Sequence, residues 1–192
     1  MNLSNMRSQC KRLGINYEKM SATTVENLHR LVPKTLIVSA GNTYIIDEET
    51  LHQSDVTAIN YHNALLPLHR GMNAEAWSIY EQEQKTGITW HVVEPKVDVG
   101  PIVFQEEIQT LPDETSLRLL IRQAKLAFHI FQNNIEDIVN SKITFHEQQG
   151  NSSFHKIKEI PNNGYVSKYW TFDKTVSGKR GAHTKNRKKV IK

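Results

Sequence analysis

Residues 35–40, TLIVSA, form a nearly continuous apolar run enriched in branched side chains, the pattern of a strand buried on both faces. Such a strand must be covered above and below, so its neighbours in sequence decide the fold. Before it, SATTVENLHRL reads as a helix whose start is marked by Ser21, Thr23 or Thr24 with Glu26 nearby, INYEKM as a short strand, and MRSQCKRLGI as a short polar helix ending near Gly14. After it, NAEAWSIYEQEQKTG reads as a helix stopped at Gly87, and ITWHVV and GPIVFQEEI read as strands flanking an EPKVD loop. Alternating strands and helices imply an α/β fold with a largely parallel sheet.

Leu117, Leu120, Ile121, Ala124, Phe128, Phe131, Ile135 and Ile138 recur at spacings of three and four. That period predicts a long amphipathic helix over residues 115–139 with this stripe in the core. Residues 1–149 are expected to form the globular domain, 150–178 an extended appendage rich in turn residues and aromatics, and 179–192 a basic tail. Lys179, Arg180, Lys185, Arg187, Lys188, Lys189 and Lys192 carry the whole positive balance: without these seven charges the net +4 becomes −3. The tail therefore reads as a solvated terminus, not as a nucleic-acid-binding arm. No apolar run is long enough for a membrane span and the first residues lack a secretory signal, which points to the cytoplasm. The single cysteine, Cys10, reads as an incidental thiol of a reducing compartment.

The chemistry concentrates in INYHNALLPLHRG, residues 59–71. Side chains two apart on a strand share a face, so Asn60 and His62 project together. Asp98, in VDVGP, falls at another candidate strand end, where ligand sites form in parallel α/β sheets. An imidazole exchanges protons near neutrality, a carboxylate favours its charged form, and an amide donates to an oxyanion, a set suited to acyl or formyl transfer. No serine or cysteine nucleophile is evident beside them, which favours direct attack by an amine. From residues alone, a metal site joining His62, His69 and His91 with Asp98 stays open, although no paired HxH or HExxH spacing supports it.

INYHNALLPLHRG followed by GITWHVVEPKVDVGPIV resembles the catalytic core of the formyltetrahydrofolate-dependent formyltransferases: an N-x-H, an L-L-P turn, R-G, a G-x-T strand and a D-x-G loop, in that order. The resemblance runs over roughly residues 36–111 and is compatible with the helix at 115–139. It implies a Rossmann-like sheet. The strand, helix and strand with which the family opens have no evident counterpart before MRSQCKRLGI, so an amino-terminally shortened sheet is expected.

By the same resemblance, Asn60 is the oxyanion-stabilising amide, His62 the catalytic histidine and Asp98 the carboxylate that sets its charge. The formyl donor is 10-formyltetrahydrofolate, bound by Gly41 of SAGNTYI, Leu66, Pro67, Arg70, Glu94 and Val97, the EPKVD loop contributing mainly backbone groups. Arg70 equally suits a role in bonding loop carbonyls. Asn63 and Ala64 replace the family's common Pro and Ser, and Leu68 and His69 a more usual pair, departures that bear on acceptor choice. The residues after about 150 are too few for the tRNA-holding domain of methionyl-tRNA formyltransferase, which favours a small amine: an amino sugar nucleotide, or an aminoacyl group that can be carrier-bound. Two alternatives keep the same residues: hydrolysis of formyltetrahydrofolate, and a non-catalytic binding module. Trp77, Trp90 and Trp170 suit either core or interface, and oligomeric state is not readable.

Overall fold

The structure, a computed structural model, describes residues 6–18, 34–42, 44–53, 56–156, 158 and 159. In order they form α1 (Met6–Arg12), β1 (Thr35–Ala40), α2 (Glu48–Leu51), β2 (Val56–His62), β3 (Arg70–Gly71), α3 (Ala74–Tyr80), β4 (Lys85–Val92), β5 (Ile102–Gln109), α4 (Ser116–Val139) and β6 (Phe154–His155). The main sheet has the order β1-β2-β4-β5, and β3 pairs with β6 in a small second sheet.

The α/β, Rossmann-like class holds. Parallel pairing among the described residues is confined to β1 with β2 and β3 with β6, whereas β2–β4 and β4–β5 are antiparallel. Residues 93–101, which join β4 to β5, are too few for the crossover that parallel neighbours require. Among the described residues β1 pairs with β2 alone, so its burial is partial and Val38 is 42% exposed instead of enclosed on both faces.

The core lies between the sheet and α4, where Ile59, Ile88, Trp90, Val103, Ala127 and Ile138 pack together. α4 starts where Thr115 accepts a hydrogen bond from the Arg118 N–H, a side-chain cap. Trp90 Nε1–H donates to the Ala127 carbonyl at 3.1 Å, fastening helix to sheet. The buried face differs from the apolar stripe read in the sequence. Of the expected stripe Ile138 is buried and Phe131 packs against the core, but Leu117, Ile121 and Ala124 are exposed and Phe128 is 65% exposed, and Leu119, Gln123 and Ala127 face inward as well. The helix carries two apolar stripes, and the inner one contains a glutamine that periodicity treats as polar.

Two further expectations change. α3 ends at Tyr80, and Gly87 lies inside β4; the left-handed turn after the helix is made by Gln82 (φ 61°). Glycine is required at 87 for closeness: a Cβ there would stand 2.2 Å from the Glu106 carbonyl oxygen and 2.4 Å from Leu65 Cδ2. Residues 15–18 form no strand, with Ile15 and Tyr17 exposed; the remainder of INYEKM and the SATTVENLHRL helix lie outside the described residues. So does 160–192, with the basic tail. Residues 153–155 run beside the 67–72 loop, Ser153 N–H donating to the Pro67 carbonyl and Met72 N–H to that of His155.

Candidate functional site

β2 presents Asn60 and His62 on one face, and its antiparallel register with β4 places Asn60 opposite His91 and His62 opposite Thr89. The loop after β4 returns Asp98 to the same point, its backbone left-handed at φ 52°. Asp98 Oδ2 lies 3.6 Å from His62 Nδ1 and accepts the Gly71 N–H at 2.8 Å, while Oδ1 lies 3.3 Å from His91 Nε2. The Asn60 amide lies 3.2 Å from that same His91 nitrogen. The three residues expected from sequence are thus joined, and the join runs through a fourth, His91.

Backbone carbonyls fix the tautomers, since they can only accept. His62 Nε2–H donates to the His69 carbonyl at 2.8 Å, leaving Nδ1 of the neutral ring toward Asp98; His91 Nδ1–H donates to the Val92 carbonyl at 2.8 Å, and its Nε2 lies between Asn60 and Asp98, where it bonds the carboxylate when it carries a proton. Burial lowers the His62 pKa, and the neighbouring Asp98 charge opposes without reversing this, so the resting imidazole is neutral. For Asp98, burial alone would raise the pKa; the His91 hydrogen bond, the His62 charge and the Gly71 N–H outweigh it and hold the carboxyl below its ordinary value. A neutral imidazole with its free nitrogen facing a carboxylate takes up a proton there with immediate charge compensation.

Polar side chains from three elements hold the 63–67 turn. Thr89 Oγ1–H donates to the Ala64 carbonyl at 2.7 Å and Thr89 Oγ1 accepts the Leu66 N–H at 3.2 Å; Gln105 Nε2 donates to the Leu66 carbonyl, and Gln123 Nε2 to those of Asn63 and Gly87, all at 2.9 Å. Gly71, at φ 90°, must be glycine: a Cβ would stand 2.2 Å from the His155 carbonyl oxygen. Close packing of β3 on β6 there aims the Gly71 N–H at Asp98.

Asn60, His62, His91 and Asp98 line one wall of a cavity of about 590 Å³. Gly41, Glu94 and Val97 line it as well. Leu66, Pro67 and Arg70 are not in its wall: Leu66 is buried behind the turn, the Pro67 carbonyl holds Ser153, and Arg70 Nη2 reaches Ser152 Oγ at 3.4 Å. Tyr44, Ile45 and Val97 offer exposed apolar surface to the cavity beside Val93, Glu94 and Pro95, a lining suited to a flat heteroaromatic ring. The His69 ring does not join His62 and His91. It stacks on His155, which stacks in turn on Trp77, and its Nε2 pairs with Glu83 at 2.9 Å. His69, Glu81 and Glu83 are, among the described residues, the grouping close enough to hold a metal ion, their ligand atoms within 4.8 Å of one another, and they are outside the cavity lining.

Sequence reasoning left His91 as a scattered histidine and passed over Thr89, Gln105 and Gln123. The G-x-T strand motif was the available signal: Thr89 is the side chain that locks the 63–67 turn.

Residues 9–135 match the family described as formyl transferase. The chain is 29% identical over 136 residues to the GDP-perosamine N-formyltransferase of Brucella melitensis, covering 71% of this chain and 52% of that protein. It is 32% identical over 124 residues to the methionyl-tRNA formyltransferase of Thermotoga neapolitana, covering 65% of this chain and 39% of that protein. The chain thus spans about half or less of the length of these curated relatives. In fold it resembles the sugar 3N-formyltransferase WlaRD, solved in the presence of dTDP and 5-N-formyl-THF, with a TM-score of 0.73 at 20% identity over 92% of this chain and 64% of that one. An N-formyltransferase of Helicobacter canadensis, solved with folinic acid and dTDP-3-aminofucose, gives a TM-score of 0.73 at 19% identity over 92% of this chain and 65% of that one.

Proposed function

The chain belongs to the formyl transferase family, and from that premise we propose that it moves a formyl group from 10-formyltetrahydrofolate to the primary amine of a small acceptor, a nucleotide-linked amino sugar. The observation that carries this reading is the bridge of Asp98 between His62 and His91, with Asn60 on His91, in the wall of one cavity. The relatives support the acceptor class: sugar N-formyltransferases stand among them in both sequence and fold.

The donor supplies an activated formyl carbon, and its pterin fits the lining of Gly41, Tyr44, Ile45, Glu94 and Val97. The chain's own residues then act on charge and protons. The Asn60 amide, fixed against His91, donates to the oxygen on which negative charge develops, a contribution of roughly 100-fold to 1,000-fold. His62, neutral at rest, accepts at Nδ1, where Asp98 faces it, the proton that the amine loses once it has attacked. It gives that proton up to the folate N10 as the bond from N10 to the formyl carbon breaks, which leaves tetrahydrofolate and the formamide and returns His62 to its neutral state. Asp98 stays ionised throughout, held by the His91 hydrogen bond and the Gly71 N–H and, once His62 is protonated, by its charge.

Incubating the purified chain with 10-formyltetrahydrofolate and dTDP-3-aminofucose, GDP-perosamine or an aminoacyl amide, with mass spectrometry of the products, tests the reading. An amino sugar nucleotide gaining one CO supports it. Formyl transfer only to the aminoacyl amide would replace the acceptor class, and formate released without any acceptor would assign hydrolysis.

A further inference from the structure

Among the described residues, three buried or half-buried acids come with cationic partners or histidines. Glu114, fully buried, is paired with Arg122; Asp98 stands between His62 and His91; Glu83 is bonded to His69. Glu75 is the exception. It is 5% exposed, in the first turn of α3, yet no Lys, Arg or His among the described residues lies within ion-pair distance of it. Its side-chain hydrogen bond comes from a neutral amide, Asn63 Nδ2 donating to Oε2.

Its surroundings point to a ligand. Glu75 lines the same cavity as Asn60 and His62, with Tyr61 and Asn63 beside it. The Tyr61 hydroxyl is buried without a hydrogen-bond partner among the described residues, and the Glu75 charge acts on it. Uncompensated carboxylates are costly to bury, so one facing a substrate cavity calls for a cation that arrives with the substrate. A primary amine in neutral water is that cation, because it enters as ammonium.

Resting on the acceptor reading above, we propose that Glu75 is the residue that selects the acceptor's amino group: its carboxylate, oriented by Asn63, receives the ammonium form at the cavity wall next to the strand end that bears Asn60 and His62. The raised pKa that burial gives Glu75 fits a charge whose counter-ion comes with the ligand. Asn63 sets the orientation. Its carbonyl is tied to Gln123 and its amide to Glu75, so the carboxylate has one preferred direction.

The test is a binding ratio read by isothermal titration in the presence of 5-formyltetrahydrofolate. Wild-type protein is titrated with dTDP-3-aminofucose and with dTDP-fucose, which has a hydroxyl in place of the amine; the same pair is applied to Glu75→Gln, which keeps the shape and loses the charge. Expected is a wild-type preference of about 10-fold or more for the amine, the scale of a desolvated charge pair, collapsing to near unity in the variant. A structural role for Glu75 would weaken both nucleotides together and leave the ratio intact, which overturns the proposal. Equal wild-type affinities also overturn it, and that measurement needs no variant. Absence of binding by either nucleotide overturns the acceptor reading and this inference with it, whereas binding without preference overturns this inference alone.

Discussion

Asn60 and His91 stand opposite each other on antiparallel strands, amide to Nε2 at 3.2 Å, and the same imidazole nitrogen lies 3.3 Å from Asp98. The amide proposed to meet the developing charge is therefore set against a histidine, and that histidine against the carboxylate that also faces His62. His91→Ala should loosen Asn60 and remove one support of the Asp98 charge. A kcat loss of about 10-fold to 100-fold is expected, with the melting shift caused by 5-formyltetrahydrofolate retained. An unchanged kcat would mean that Asn60 needs no such anchor.

Removal of the shared charge tests the centre itself. Asn is tolerated at the left-handed φ of 52° that Asp98 adopts, so Asp98→Asn should fold. It should lower kcat by about 100-fold to 10,000-fold, as should His62→Ala, because proton transfer then lacks its acceptor or its compensating charge. Substantial turnover by either variant would refute the roles assigned.

Stability should depend on pH through His62. Burial puts its folded pKa below the ordinary 6.5, so under pH 6.5 the unfolded chain takes up a proton that the folded one refuses. Stability is complete above 6.5 and falls as pH drops from there toward the folded pKa, by at most about 1.4 kcal/mol per pH unit from this group. His155, whose pKa is also lowered by burial, adds in the same sense. Melting temperatures from pH 7 to 5 should decline, and decline less in His62→Gln; a rise over that range would contradict the burial argument.

Gly87→Ala should destabilise the fold by about 1–3 kcal/mol. Its Cβ would meet a backbone oxygen of β5 and the Leu65 side chain of the 63–67 turn, the first held by the sheet pairing and the second by a turn tied to Thr89. Denaturant unfolding reads this directly, and a neutral effect would show that the β4–β5 pairing yields more readily than its register suggests.

Folate binding can be measured without knowing the acceptor. At 100 times its dissociation constant, 5-formyltetrahydrofolate should stabilise the protein by about 2.7 kcal/mol. Substituting Val97 by Asp, which puts a charge on the apolar lining, should abolish the shift, whereas Arg70→Ala, outside the cavity wall, should leave it in place. The opposite pattern would return the donor to the turn at residues 66–70.

What the sequence determined is what is local or periodic. Apolar runs and a helical period gave β1, β2, β4, β5 and α4. Strand alternation put Asn60 and His62 on one face, and an uncommon order of motifs led to Asp98. Tertiary structure decided the rest. Which stripe of α4 turns inward depends on the shape of the sheet it meets, so Gln123 went in and Phe128 stayed out. Which glycine ends a helix depends on the room around it, and Gly87 is needed for contact with β5 instead. His91 entered the site because an antiparallel register set it opposite Asn60, a pairing that neither strand encodes alone. Glu75 reads in sequence only as part of a helix; the packing of α3 against the cavity is what buries its charge with no cation of the described residues at hand.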